Sequence, residues 1–201
     1  MKCSTLQLGL FAREPLAIDE TFARAERVEL GPNAWVEIVR GWVRGDRELF
    51  DHLVATAPWR DEERVMYDHV VAVPRRIAVL DRLHSTIIRV RESLDARYAT
   101  SFERISVAHY RDGRDSVAWH GDYVARKLDT ALVATVSLGS PRRFLIRPKG
   151  GGPSRAWTLS GGDLVVMGGT SQRTHEHSVP KVASAGPRVA LMFRPVWHEP
   201  T

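Results

Sequence analysis

The sequence predicts a mainly β protein of the α+β class, in which a two-sheet β core packs against N-terminal helices. Two observations support this prediction. Beyond Thr100, short segments rich in β-branched and aromatic residues alternate with glycine and proline, a pattern typical of a sandwich, a jelly roll or a small barrel. Before Thr100, apolar residues recur at helical spacing in two segments. The predicted C-terminal strands cover residues 105–110, 131–138, 144–147, 164–167, 175–179 and 189–193.

The N-terminal half is predicted to contain two strands and two helices. Residues 34–39 and 64–73 are rich in β-branched and aromatic side chains, which favour strands. Asp46 is a suitable N-cap for a first helix that Pro58 ends, and a second helix is predicted over residues 84–99. The apolar residues that define these helices are Leu49, Phe50, Leu53 and Val54 in the first, and Ile87, Val90, Leu94 and Tyr98 in the second.

The composition is that of an ordinary soluble domain. The chain has 201 residues, of which 43% are hydrophobic and 26% charged, so one domain with a single core is expected. No stretch approaches the roughly 20 apolar residues that span a bilayer, so no membrane partner is expected. Cys3 is the only cysteine and the N-terminus lacks a signal-peptide pattern, so a cytoplasmic location is expected. The net charge of +5 is compatible with nucleic-acid binding but does not require it.

Histidine and aspartate occur in a pattern that indicates a metal site. His120 and Asp122 are two residues apart, so on a strand or at its end both side chains point the same way. A second imidazole from a distant strand would complete the two-histidine, one-carboxylate set that holds non-haem Fe(II) with open coordination positions. His175 and His177 share the same strand parity, so periodicity leaves both as candidates, and His198 is a poorer one. A surface contact between His120 and Asp122 is the simpler alternative.

Two arginines on one predicted strand indicate an anion site. Arg188 and Arg194 are six residues apart, which puts both on one face of a strand and about 20 Å apart along it. Guanidinium groups bind carboxylates through a planar fork of donors, so the pair is suited to a small dicarboxylate. The alternative is a pair of solvated arginines. Together with the metal pattern, the arginines suggest an iron oxygenase with a keto-acid co-substrate.

Six short motifs follow one another between residues 105 and 195. They are Tyr110-Arg111-Asp112-Gly113, His120-Gly121-Asp122, Ser137-Leu138-Gly139, Gly162-Asp163-Leu164-Val165-Val166-Met167, His177-Ser178-Val179-Pro180, and the segment from Arg188 to Arg194. As an ordered set they resemble the AlkB family of Fe(II)/2-oxoglutarate-dependent dioxygenases. The resemblance covers about the C-terminal half of the chain. It implies a double-stranded β-helix (jelly-roll) core with N-terminal helices and strands packed on it.

The resemblance also implies the domain organisation. Residues 1–201 would form a single dioxygenase domain. Within it, residues 1–103 would be an N-terminal extension that carries a substrate lid, and residues 104–196 would be the jelly-roll catalytic core.

The resemblance assigns roles to the site residues. It selects His177 as the third metal ligand beside His120 and Asp122, because the distal histidine of the family precedes a small residue, an apolar residue and proline. It implies that Arg188 and Arg194 bind 2-oxoglutarate, one at each carboxylate, and that Tyr110 adds a hydrogen bond. One departure is clear: the family commonly has asparagine two residues before that tyrosine, where this chain has Ala108. The hydrogen bond of that amide is therefore missing or replaced.

Family members use the N-terminal portion as a lid over the modified base. Aromatic and thioether side chains can cover a base face, although an apolar strand carries the same residues for packing alone. Arg142 and Arg143 are candidates for phosphate contact, with a solvated loop as the alternative. The candidate substrate-binding residues are Trp59, Arg60, Met66, Tyr67 and Trp119.

The resemblance implies a function as well. The expected cofactors are Fe(II), the co-substrate 2-oxoglutarate and O2. The expected reaction is oxidative demethylation of N-alkylated bases, with release of formaldehyde, succinate and CO2. The expected partner is single-stranded or base-flipped nucleic acid, with DNA favoured over RNA, and the expected state is a monomer. The alternatives are the same iron chemistry on a protein or small molecule, and a metal-binding or nucleic-acid-binding module without turnover.

Overall fold

The computed structural model describes residues 15–66, 69–122 and 125–196. In this part of the chain antiparallel strands predominate, and three α-helices and a short 3-10 helix (Ala125–Lys127) accompany them. The helices are α1 (Asp46–Thr56), α2 (Ser85–Tyr98) and α3 (Ser171–Thr174). The strands are β1 (Ala17–Ile18), β2 (Ala25–Gly31), β3 (Ala34–Val39), β4 (Val43–Arg44), β5 (Arg60–Met66), β6 (His69–Val79), β7 (Arg104–Tyr110), β8 (Val117–His120), β9 (Val133–Gly139), β10 (Arg142–Pro148), β11 (Arg155–Leu159), β12 (Leu164–Gly169), β13 (His175–Val179) and β14 (Arg188–Arg194).

Two main sheets build the core. The large sheet has eight strands in the order β2-β3-β12-β9-β14-β7-β6-β5, and the small sheet has four in the order β11-β10-β13-β8. This architecture confirms the predicted mainly β fold class with its jelly-roll core. Four N-terminal strands, β2, β3, β5 and β6, belong to the same sheet as the C-terminal ones. The division into an extension and a core at residue 103 stays a prediction.

The large sheet buries both of its faces, and β7 shows how. Side chains alternate along a strand, so neighbouring residues point to opposite faces. Val107 joins the cluster that α1 and α2 cover, to which Leu49 and Leu94 also belong. Ala108 and Tyr110, by contrast, join the cluster that faces the small sheet. The second face therefore carries the residues that can form an internal site.

The second predicted helix and several strands are confirmed. The strands predicted at residues 34–39 and 175–179 coincide with β3 and β13. The helix predicted over residues 84–99 is α2, and the ring of His84 accepts a hydrogen bond from the Thr86 N–H as its N-cap. Five strands were not predicted from the sequence: β1, β2, β4, β8 and β11. These strands are short or half exposed, so their apolar signal is weak.

Two N-terminal predictions are wrong. Residues 64–73 are not one strand, because β5 and β6 pair with each other as two antiparallel strands, and no glycine or proline in this stretch signalled a turn. Pro74 does not end the second of these strands, since it lies beside an irregularity in the pairing, where a missing N–H is tolerated.

Asp46 is not the N-cap of α1, a position that Gly45 occupies with a φ of 66°. Instead the Asp46 carboxylate accepts a hydrogen bond of 2.9 Å from the Gly139 N–H and ties α1 to the end of β9.

None of the helices in the described ranges is long and apolar enough to cross a membrane.

Candidate active site

Three potential metal ligands meet where β8 pairs with β13. His120 ends β8, Asp122 follows two residues later, and His177 lies opposite His120 in β13. The ligand atoms of the three side chains all lie within 4.8 Å of one another, and the two imidazole ring centres are 4.3 Å apart. Two imidazoles and one carboxylate at this spacing can hold one divalent ion and leave coordination positions open.

The protonation states of these residues suit a metal. Burial, with a further contribution from the charge of His120, lowers the pKa of His177 to about 3, so the His177 imidazole is neutral near pH 7. Burial acts to raise the pKa of Asp122, but the Arg194 guanidinium together with His177 and His120 outweighs burial and keeps this pKa below its usual value. The site therefore offers an ionised carboxylate and a free imidazole lone pair, which are the forms that bind metal.

Hydrogen bonds orient the ligand-bearing segment. The Nδ1 of His120 lies 2.9 Å from the Ala118 carbonyl oxygen, so Nδ1 carries the proton and Nε2 is left to face a metal. The Asp122 N–H donates to Oε1 of Gln172 at 3.1 Å. Gly121 allows this approach, since a Cβ there would lie 2.9 Å from the Gln172 carbonyl oxygen. Gln172 is fully buried and so fixes the loop that carries Asp122.

His175 is directed elsewhere. Its Nδ1 lies 2.8 Å from the Thr174 hydroxyl, and burial together with Arg155 lowers its pKa. Strand parity left both histidines as candidates, but the register of β13 with β8 pairs His177 with His120, and His177 is the one that joins the ligand cluster. His198 lies outside the described residues.

Arg194 belongs to the metal end of the site. Its Nε–H donates to Oδ2 of Asp122, and its Nη1 donates to the Ser106 hydroxyl at 2.9 Å. This guanidinium therefore stands beside a candidate metal ligand. A molecule bound at the metal would have one of its ends next to Arg194.

Arg188 lies at the other end of β14 and is fully buried. Its Nε–H donates to the Ser137 hydroxyl at 2.9 Å, while its Nη1 has no hydrogen-bond partner in the described structure. Within the described ranges no carboxylate forms an ion pair with Arg188, and burial lowers the pKa of its guanidinium. An uncompensated buried charge with a free donor is costly unless an anion completes it. Arg188 is thus suited to bind the carboxylate of a ligand.

A cavity of about 810 Å³ joins the metal end to Arg188. Both sheets line it, with His177 and Phe144 from the small sheet and Thr135 from the large one. Every second residue of β14 faces this cavity, as the strand prediction required. Those residues are Arg188, Ala190, Met192 and Arg194.

The candidate substrate residues are dispersed. Trp59 does not line the cavity, because its indole N–H donates to the Val54 carbonyl at 3.1 Å and its ring packs on His109 on the helix side of the large sheet. Trp119 does not line it either, since its ring lies 4.0 Å below the Arg147 guanidinium. Arg60 is exposed and lines the cavity mouth. The Met66 side chain and Tyr67 lie outside the described structure.

Arg142 does not make the phosphate contact considered for it. Its side chain is buried, and its guanidinium donates to the carbonyl oxygens of Asp112, Asp115 and Pro180 at 3.0, 2.7 and 2.7 Å. This arginine joins loops, whereas Arg143 is exposed.

Two residues of the site, Gln172 and Arg75, were not predicted from the sequence. Nothing in the Pro-Arg-Arg run separates Arg75 from Arg76, since only the register of β6 shows which of the two faces the cavity. Gln172 lies in the short helix α3, whose sequence suggested no functional role.

A sequence model of the 2OG-Fe(II) oxygenase superfamily matches residues 54–194. Among curated proteins, the chain is 26% identical to the alpha-ketoglutarate-dependent dioxygenase alkB homolog 3 of Bos taurus over 177 residues, which cover 76% of this chain and 62% of that protein. It is 33% identical to the DNA oxidative demethylase ALKBH2 of Arabidopsis thaliana over 133 residues, which cover 52% of this chain and 42% of that protein. The chain thus spans less than two thirds of the length of these relatives.

Solved structures share the fold. The structure of OsALKBH1 has a TM-score of 0.59 at 14% identity, covering 85% of this chain and 100% of that one. A prolyl hydroxylase of Trichoplax adhaerens in complex with a hypoxia inducible factor peptide has a TM-score of 0.59 at 12% identity, covering 79% of this chain and 82% of that one. At such identities the likeness shows the fold alone.

Proposed function

Since this chain belongs to the 2OG-Fe(II) oxygenase superfamily and its curated relatives are AlkB homologues, we propose that it removes alkyl groups oxidatively from the nitrogen atoms of nucleic-acid bases. The cofactors are those of the family: Fe(II), 2-oxoglutarate and O2. One observation carries the proposal: the His120, Asp122 and His177 cluster shares a cavity with a buried guanidinium that lacks a counter-charge.

The donor set fits Fe(II). Neutral imidazole and carboxylate are the ligands of the two-histidine, one-carboxylate centre, and both protonation states are favoured here near neutral pH. His120, Asp122 and His177 would hold the ion. The contacts of Ala118 and Gln172 orient the first two ligands before the metal arrives.

The far end of the cavity fits 2-oxoglutarate. The free Nη1 of Arg188 would bind one carboxylate, and the Tyr110 hydroxyl, across the strand pair from Arg188, would add a hydrogen bond. Arg194 would serve the end of the co-substrate nearer the metal. When bound, iron and 2-oxoglutarate supply the oxidation of an alkyl carbon by O2, with succinate, CO2 and formaldehyde as products. The protein's part is to orient both molecules and to exclude bulk water between the two sheets.

Nucleic acid would enter at the mouth of the cavity. Arg60 and Arg104 line this mouth and are exposed, so they are available to phosphate groups. Reaching an alkyl group on a base edge requires a single strand or a flipped base. We favour DNA, with RNA as the alternative, and we expect binding to weaken as salt rises.

We also propose a monomer in the cytoplasm. Val79 and Val196 are the exposed large hydrophobic residues among those described, which is too little apolar surface for an obligate interface. A single cysteine suits a reducing compartment.

The test is a demethylation assay with Fe(II) and 2-oxoglutarate on single- and double-stranded oligonucleotides that carry 1-methyladenine or 3-methylcytosine. The expected result is formaldehyde and succinate in equal amounts, and no product from an Asp122→Ala control. If iron-loaded protein forms succinate with a protein or small molecule but not with any oligonucleotide, the oxygenase chemistry stands and the nucleic-acid assignment is lost. Iron binding without any succinate would indicate a binding module.

A further inference from the structure

A row of three polar side chains crosses three neighbouring strands of the large sheet. Tyr110 of β7 pairs with Arg188 of β14, and on its other side the register of β6 with β7 brings Arg75 level with it. The Nη1 of Arg75 donates to the Tyr110 hydroxyl at 3.1 Å. Arg75, Tyr110 and Arg188 all line the cavity. Two guanidinium groups therefore flank one phenol at the end of the cavity away from Arg194.

Arg75 lacks the partners that a structural arginine has. Its side chain is buried, its Nε has no hydrogen-bond partner, and no ion pair to it occurs in the described part of the chain. Arg76, the next residue, points to the other face of β6 and pairs with Asp61 at 3.4 Å. Arg142, also near Tyr110, donates to three carbonyl oxygens. The Nε of Arg76 and the Nε of Arg142 also lack hydrogen-bond partners, but Arg76 has a carboxylate beside it and Arg142 has three carbonyl acceptors. In the described structure the hydrogen bonds from Arg75 and Arg188, by contrast, go to hydroxyl groups, so neither guanidinium has a carboxylate or carbonyl acceptor.

Next to this row lie three side chains that are apolar and one hydroxyl, that of Ser137, which pairs with Ala190 and already accepts from the Arg188 Nε–H. Ala108 pairs with Ala190 on one side and with Ile77 on the other, and these side chains cannot donate a hydrogen bond. Ala108 also stands where the related family commonly has an asparagine. A carboxylate placed beside Ala108 would therefore take most of its hydrogen bonds from Arg75, Tyr110 and Arg188.

We propose that Arg75 binds the co-substrate: together with Arg188 and Tyr110 it holds the carboxylate of 2-oxoglutarate that is distal to the keto group, and so sets the preference for a dicarboxylate. This inference rests on the proposed function. Arg75 supplies the donor that Ala108 lacks. Two guanidinium groups on one carboxylate neutralise a buried anion more fully than one, which offsets the cost of removing it from water.

The experiment compares two keto acids that differ only at the distal end. Isothermal titration calorimetry without oxygen measures the binding of 2-oxoglutarate and of 2-oxopentanoate, which has a methyl group in place of the distal carboxylate, to Mn(II)-loaded protein. The expected result for Arg75→Met is a Kd for 2-oxoglutarate raised about tenfold or more, with the Kd for 2-oxopentanoate unchanged. Arg75→Lys keeps the positive charge but loses the planar fork of donors, so its Kd for 2-oxoglutarate should lie between those of Arg75→Met and the wild type.

Arg76→Met is the matched control, since it removes the adjacent arginine on the opposite face and should leave both Kd values unchanged. An unchanged Kd for 2-oxoglutarate in Arg75→Met, or an equal loss for both keto acids, overturns the role of Arg75 while the proposed function stands. If Arg75→Met does not fold, Arg75→Lys serves instead. A raised Kd for 2-oxoglutarate with an unchanged Kd for 2-oxopentanoate supports the role of Arg75, and an unchanged ratio of the two Kd values overturns it. If the wild-type protein binds neither 2-oxoglutarate nor 2-oxopentanoate, the proposed function and the role of Arg75 are both overturned.

Discussion

The Nε–H of Arg194 donates a hydrogen bond to Oδ2 of Asp122, so the last residue of β14 holds one of the three candidate metal ligands. Both side chains are mostly buried, and Ser106 accepts a second hydrogen bond from the same guanidinium. Without a metal, Arg194 is the charge that keeps Asp122 ionised inside the protein. The same pair thus links the co-substrate strand to the metal centre.

Replacement of Arg194 by methionine should destabilise the metal-free protein. A buried carboxylate left without its partner typically costs about 3 kcal/mol. Mn(II) should restore more stability to this variant than to the wild type, because the ion replaces the lost positive charge. Urea unfolding at pH 7, in EDTA and in excess Mn(II), measures both effects. An equal gain from Mn(II) in the two proteins would show that Arg194 does not compensate the charge of Asp122.

His177 and His175 form a matched pair of substitutions. His177→Ala removes one of three ligands, so we expect loss of stoichiometric metal binding and of succinate formation. His175→Ala should retain both, since its ring contacts the Thr174 hydroxyl rather than the cluster. Metal content after gel filtration and succinate yield are the measurements. Full activity in His177→Ala would move the ligand to His175.

Gln172 should influence metal affinity without being a ligand. Its Oε1 accepts from the Asp122 N–H, and its Nε2 donates to the Met167 sulfur at 3.3 Å, so the side chain is fixed at both ends. Loss of such a supporting contact typically weakens metal binding tenfold or more. We therefore expect Gln172→Ala to raise the Kd for Mn(II) by about tenfold.

Arg173→Ala is the control for that substitution. Arg173 is the next residue, but its guanidinium is exposed and pairs with Asp129 at 3.0 Å. Its loss should leave the Kd for Mn(II) unchanged. If the two variants bind Mn(II) equally well, Gln172 does not position Asp122.

Local periodicity and the order of motifs were enough to predict much of this site. The two-residue spacing of His120 and Asp122 and the six-residue spacing of Arg188 and Arg194 each specify a shared strand face, and the structure has both pairs facing the cavity. Such spacings work because side-chain direction along a strand depends on local sequence alone.

Arg75 could not be predicted in that way. Its place beside Tyr110 depends on the register between β6 and β7, which is set by pairing over a long sequence separation. The pairing of β5 with β6 is local, but residues 64–73 contain no turn residue, so their pattern predicts one strand. Trp59, which the sequence places at the substrate, packs on His109 instead. Pairing partners, rather than local pattern, decided each of these cases.

His109 should make folding stability depend on pH. It lies on the helix side of β7, where its ring packs on Trp59 and Phe50 and its Nε2 has no hydrogen-bond partner. Burial lowers the pKa of His109, and the charges of Arg111 and Arg76 act in the same direction against a raising effect of Asp115. The folded state therefore takes up this proton only at a lower pH than the unfolded chain does.

Because the unfolded chain takes up the proton first, the folded protein should become less stable as the pH falls. Below about pH 6.5 the unfolded chain binds a proton that the folded protein excludes, so stability falls as the pH falls, until the folded pKa is reached. His109→Phe keeps an aromatic ring against Trp59 and Phe50 but cannot titrate. Its free energy of unfolding should decline less steeply than that of the wild type, by up to about 1.4 kcal/mol per pH unit. Urea unfolding of metal-free protein between about pH 7.5 and 5.5 measures the two slopes, and parallel slopes would contradict a buried neutral His109.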